Sequence, residues 1–168
     1  MNKYFLLIIL CLGLLLTSCH LFENEKEDHD FSIEISPSES VISAGEDLSL
    51  EVKIEDVEDL YAMSVEIVFD SAVLALSDSP FVVSEDWGED VFTTSINDLD
   101  RLNVAIGLNG SNTGCISGDR SLFTVHFTGV AAGETMVSIH NLNLINEEGN
   151  PVEDFEDIEI ENATVIVQ

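Results

Sequence analysis

From Phe31 onward the chain alternates apolar and polar residues with a period of two, the pattern of strands that bury one face, since successive strand side chains point to opposite sides of a sheet. Phe31, Ile33 and Ile35 interleave with Ser32, Glu34 and Ser36, and Leu48, Leu50, Val52 and Ile54 with Ser49, Glu51, Lys53 and Glu55. Met63, Val65, Ile67 and Phe69 interleave with Ala62, Ser64, Glu66 and Val68, and further runs follow at 91–96, 102–108, 122–128, 135–139 and 158–167. No segment sustains a helical period. Turn residues separate the runs at Ser43-Ala44-Gly45-Glu46, 107–110, Ser117-Gly118-Asp119, Ala132-Gly133 and Glu147-Glu148-Gly149-Asn150. Many short strands so spaced predict an all-β sandwich. One helical turn is expected to interrupt it, at Asp70-Ser71-Ala72-Val73-Leu74.

The residues before 31 follow another pattern: Lys3, an apolar run over 4–16, then Thr17-Ser18-Cys19. A bilayer-spanning helix needs about 20 apolar residues, and this run is too short. It is a signal segment rather than a span. Leu16-Thr17-Ser18-Cys19 resembles the lipobox of bacterial lipoproteins, which implies cleavage after residue 18 and lipid on Cys19. Several acyl chains, at roughly 0.8 kcal/mol per buried methylene, would hold the protein on a membrane where one chain is marginal. His20 is not the Asp that resembles an inner-membrane retention signal, so the anchor is expected at the cell envelope, on the outer membrane or cell surface.

Residues 19–168 would then remain, enough for one domain and too few for two ordinary ones. Residues 21–30 are mostly charged and cannot bury enough surface to order themselves; with Cys19 and His20 they read as a short tether over 19–30, and 31–168 as the domain. Acidic residues number 33 against 5 basic ones, for a net charge of −28. A surface so negative repels polyanions, which disfavours nucleic acid as a partner. With Cys11 in the signal and Cys19 lipidated, Cys115 has no partner for an intrachain disulfide.

Three stretches carry a family resemblance. LYAMSVEIVFDSAVL at 60–74 resembles the third strand of cohesin domains and the Tyr-Asp-Pro-x-Val-Leu-like turn after it, and GDRSLFTVHF at 118–127 looks like their Gly-Asp-Gly-x-Leu-x-x-Leu-x-Phe strand. AAGETMVSI at 131–139, followed by NLNL at 141–144 and EGN at 148–150, is similar to the family's closing segment. Ser71 replaces the usual Pro and Arg120 the second Gly, both at turn positions that tolerate other residues. The resemblance implies a nine-stranded jelly-roll β-sandwich. Its implied task is to bind a dockerin, a small calcium-loaded helical module carried by another protein, here expected to be a polysaccharide-degrading enzyme. The calcium would belong to the dockerin, so no cofactor or metal is expected on this chain.

Cohesins dock through one flat face. If Val104, Ile106 and Ile139 face the core, the outward residues are Ala62, Ser64 and Glu66, then Asn103, Ala105, Gly107 and Asn109, with Ser138 and His140 on a later strand. A bulge would shift that parity. These residues are small or polar and free of Lys and Arg, which suits a helical partner that brings its own basic and apolar anchors. The alternative is a carbohydrate-binding module of the same architecture, with polysaccharide as partner. It needs exposed aromatic rings, and Trp87 and Tyr61 are the candidates beyond the phenylalanines, Tyr61 expected partly buried and Trp87 either exposed or packed over the sandwich edge. No catalytic site assembles: the histidines at 20, 29, 126 and 140 lack metal-ligand spacing, no nucleophile elbow occurs, and the acidic loop at 146–154 lacks the ligand pattern of an EF-hand.

Overall fold

The alternation resolves into two sheets packed face to face in the computed structural model, which describes residues 31–110 and 114–168. The signal segment, Cys19 and the tether lie outside the described residues. The strands are β1 Ser32–Ser36, β2 Glu39–Ile42, β3 Asp47–Leu60, β4 Ala62–Val68, β5 Leu74–Val83 and β6 Val91–Asn97. They continue with β7 Arg101–Leu108, β8 Ile116–Gly129, β9 Gly133–Ile145, β10 Glu159–Glu161 and β11 Ala163–Val167. One sheet runs β10-β1-β3-β8-β5 and the other β2-β11-β9-β4-β7-β6. Leu50, Val52, Phe123 and Phe127 from the first meet Ile67, Leu102, Val104 and Val165 from the second in one buried core. Each such side chain contributes roughly 1.5–3 kcal/mol by leaving water. Phe69 and Phe127 pack edge to face with centroids 5.1 Å apart.

The all-β sandwich is as expected, but among the described residues it has eleven strands rather than nine. The 158–167 run is broken at Asn162, so that β10 joins β1 in one sheet while β11 joins β9 and β2 in the other. The Asn162 side chain supports the break by accepting from the Ile139 N–H at 2.9 Å. Likewise β1 and β2 are consecutive strands that belong to different sheets.

The turn at Asp70 is present. Its carbonyl accepts from the N–H groups of Val73 and Leu74, both at 3.0 Å, and its carboxylate accepts from the Ala72 N–H at 2.8 Å. It is not the one interruption, because 3-10 turns occur at Glu85–Trp87 and Phe155–Asp157. Past Ile54, β3 keeps pairing with β8 through two bulges, at Asp56 and Asp59, both at positive φ. Their backbone N–H groups donate to Asp119 Oδ1 and Ser117 Oγ, so the bulges leave no donor wasted.

Candidate functional site

The outer face of the six-stranded sheet is built from three cross-strand rows. Antiparallel pairing of β4 with β7 sets Ala62, Ser64 and Glu66 against Gly107, Ala105 and Asn103. On the far side of β7, β6 adds Phe92, Thr94 and Ile96 beside the same three residues. On the far side of β4, β9 adds Ile145, Asn143 and His140. The interleaved Met63, Val65, Ile67, Leu102, Val104 and Ile106 are buried, which fixes the first set as outward.

The structure thus brings together Ala62, Ser64, Glu66, Asn103, Ala105, Gly107 and His140, with Ser138 one row further on, opposite Val68. Asn109 stands apart: it follows the end of β7, and its backbone N–H donates to the Asp90 carbonyl at 2.9 Å.

The face is a trough rather than a plane. Ser64 and Ala105 are short and form its floor, while Ile96 stands 70% exposed along one side, with Phe92, 62% exposed, further along the same strand. Asn141 and Asn143 rise on the other, enclosing a depression of about 290 Å³. The β9 wall owes its shape to a bulge between the partners of Ser64 and Glu66, where Asn141 takes a positive φ.

One carboxylate sits within these rows, and it is neutralised. Glu66 is only 8% exposed. Its Oε1 accepts from Arg101 Nη1 at 2.8 Å and its Oε2 from Asn141 Nδ2 at 2.7 Å. The expectation of a face free of Lys and Arg is therefore wrong. Arg101, at the start of β7, reaches back over the sheet because a buried carboxylate needs a partner. Arg101 also donates to Asp100 at 3.0 Å, and that bond holds the Asp100 carboxyl below its usual range.

The opposite face of the sandwich contrasts sharply. Glu34, Asp47, Glu51, Glu55, Glu159 and Glu161 project from the five-stranded sheet, with Lys53 between Glu34 and Glu51 at 3.5 and 3.6 Å. In so acidic a chain, a row set whose one carboxylate is ion-paired is the exception.

Sequence reasoning missed Phe92, Thr94, Ile96, Asn141 and Asn143. The apolar character of Phe92 and Ile96 points them inward by the usual rule, and the bulge at Asn141 breaks the parity that would have exposed the asparagines. Trp87 lies in the core at 2% exposure, its Nε1 donating to the Leu122 carbonyl at 2.9 Å, so of the two readings it takes the packed one. Tyr61 is half-buried, as expected.

No protein-family model matches the sequence, and a search of curated proteins returns no match. Solved structures do match. A non-cellulosomal cohesin from the archaeon Archaeoglobus fulgidus superposes with a TM-score of 0.66 at 19% identity, over 83% of this chain and 91% of that one. The chain has the cohesin fold. A type II cohesin from the cellulosome of Acetivibrio cellulolyticus gives a TM-score of 0.66 at 15% identity, covering 81% of this chain and 95% of its own. The cohesin of a type I cohesin–dockerin complex from Clostridium thermocellum gives 0.65 at 11% identity, covering 87% and 98%.

Proposed function

We propose that this chain is a docking module whose cohesin-like sandwich captures a dockerin-bearing protein on the outer face of the six-stranded sheet. The observation that carries this reading is the trough itself: short floor residues, apolar and amide walls, and a single carboxylate already paired with Arg101. A helix can approach such a floor closely, and little charge must be desolvated as it does. The fold adds support, since one of the cohesins it matches is held in a complex with a dockerin. The partner supplies the calcium and the reaction chemistry, polysaccharide degradation. The lipid proposed on Cys19 fixes the module at the cell envelope.

Capture tests this reading. The immobilised 31–168 domain, presented with proteins of the same organism in calcium and then in chelator, should retain dockerin-bearing proteins in calcium alone. Retention of nothing calcium-dependent, with the domain itself held by insoluble polysaccharide, would overturn it in favour of a carbohydrate-binding module.

A further inference from the structure

Each sheet ends in two edge strands whose unpaired backbone groups can template pairing with another chain, and native proteins commonly blunt such edges. Three of the four edges here are blunted. β10 is three residues long with Glu159 and Glu161 at its ends. β2 is four residues long, begins at Glu39 and follows Pro37. The β5 ladder is interrupted between Leu76 and Phe81 by Ser77, Asp78, Ser79 and Pro80. β6 has no such device. Its seven residues pair one for one with β7, without a bulge, a proline or a charged side chain.

The free side of β6 is also self-complementary. Asp98 donates its N–H to the Arg101 carbonyl, and the Asp90 carbonyl accepts from the Asn109 N–H. The alternation of an antiparallel ladder therefore aims the N–H and C=O groups of Val91, Thr93, Ser95 and Asn97 away from β7, into open space. A two-fold axis through Thr94 pairs Thr93 with Ser95 and Val91 with Asn97 of a second copy, so every outward backbone group finds a partner. The same register sets Phe92 against Ile96 on the outer face, in both directions. These two are among the most exposed large apolar side chains of the described residues, and cross-strand aromatic and β-branched pairs stabilise sheets.

We infer that β6 is a self-pairing edge, through which two copies of this chain join their six-stranded sheets antiparallel about Thr94. Asp90 of each copy then lies opposite Asp98 of the other, so added salt strengthens the pairing. The inference is independent of dockerin capture.

Disulfide trapping in membranes that carry the full chain tests it. Residues opposite each other at a non-hydrogen-bonded site have Cα atoms about 4.5 Å apart, within disulfide range. Thr94→Cys in a Cys115→Ala background should yield a cross-linked dimer on mild oxidation, with a yield that rises from about 0.02 M to about 0.5 M salt. Ser64→Cys, two strands inward, should give none. Adding Ser95→Pro should cut the Thr94→Cys yield at least about tenfold without lowering the melting temperature, because it removes an outward N–H and no β6–β7 bond. Absence of a Thr94→Cys dimer, equal trapping through Ser64→Cys, or indifference to Ser95→Pro would each overturn the inference.

Discussion

Arg101 and Glu66 meet at 2.8 Å across adjacent strands, and the same carboxylate fixes the Asn141 amide at 2.7 Å. Glu66 thus ties β7 to the β9 bulge over the β4 between them. Glu66→Ala removes both bonds from a nearly buried site, and a loss of about 1–2 kcal/mol is expected. For a domain of this size that is a fall in melting temperature of roughly 3–8 °C. Calorimetry measures it, and an unchanged melting temperature would show that the triad does not brace the trough.

Ser64 and Ala105 are the half-buried floor of the proposed docking face, on the side of the sheet turned away from the core. Ser64→Arg or Ala105→Arg should abolish dockerin capture while leaving the melting temperature within about 2 °C, because the longer side chain can extend away from the sheet into solvent. Loss of folding in both variants would mean that these side chains point inward after all.

Trp87 is the chain's single tryptophan, so its fluorescence reports on its burial directly. Emission should be blue-shifted in the native protein, move red on unfolding, and stay fixed when polysaccharide is added. Trp87→Ala should destabilise by roughly 3–5 kcal/mol. Trp87→Phe should cost far less, because the Leu122 carbonyl keeps a second donor in the Ser84 N–H at 3.1 Å. A polysaccharide-dependent shift in emission would revive the carbohydrate-binding reading.

The sheet layers were legible wherever a strand buries one face in strict alternation, as in β4 and β7, and those strands carry most of the proposed site. Legibility failed where the backbone departs from period two. In β3 the buried Ile54, Val57 and Leu60 are three apart, because each bulge inserts a residue at positive φ; the spacing hides a strand. β5 was unreadable because Ser77 to Pro80 leave the ladder, and β2 because Ile42 is the one buried residue in four. On β6 the alternation was present and misleading. Phe92 and Ile96 are apolar and point outward, where the burial rule and an interaction surface make opposite demands on one side chain.

The lipobox reading of Leu16-Thr17-Ser18-Cys19 predicts that Cys19→Ala abolishes lipidation and releases the domain from the membrane with its dockerin capture intact. Fractionation of cells that express the variant, followed by the capture assay on the soluble fraction, measures both. A variant still sedimenting with membranes would refute the anchor.

Cys115 is half-buried beside Asp59, Glu147 and Glu148. Burial first, and the Asp59 charge after it, push its thiol above the ordinary value, because both disfavour the thiolate. Alkylation by iodoacetamide at pH 8 should therefore be several-fold slower in the native protein than in urea, where the thiol titrates near its unperturbed value of about 8.5. A group whose folded pKa is raised favours the fold fully below its unfolded pKa and loses that contribution as pH climbs through the folded one, so the native protein should weaken on the alkaline side. In Cys115→Ala that component of the alkaline loss should vanish. Equal alkylation rates in native and unfolded protein would show that the thiol is open to solvent and unshifted.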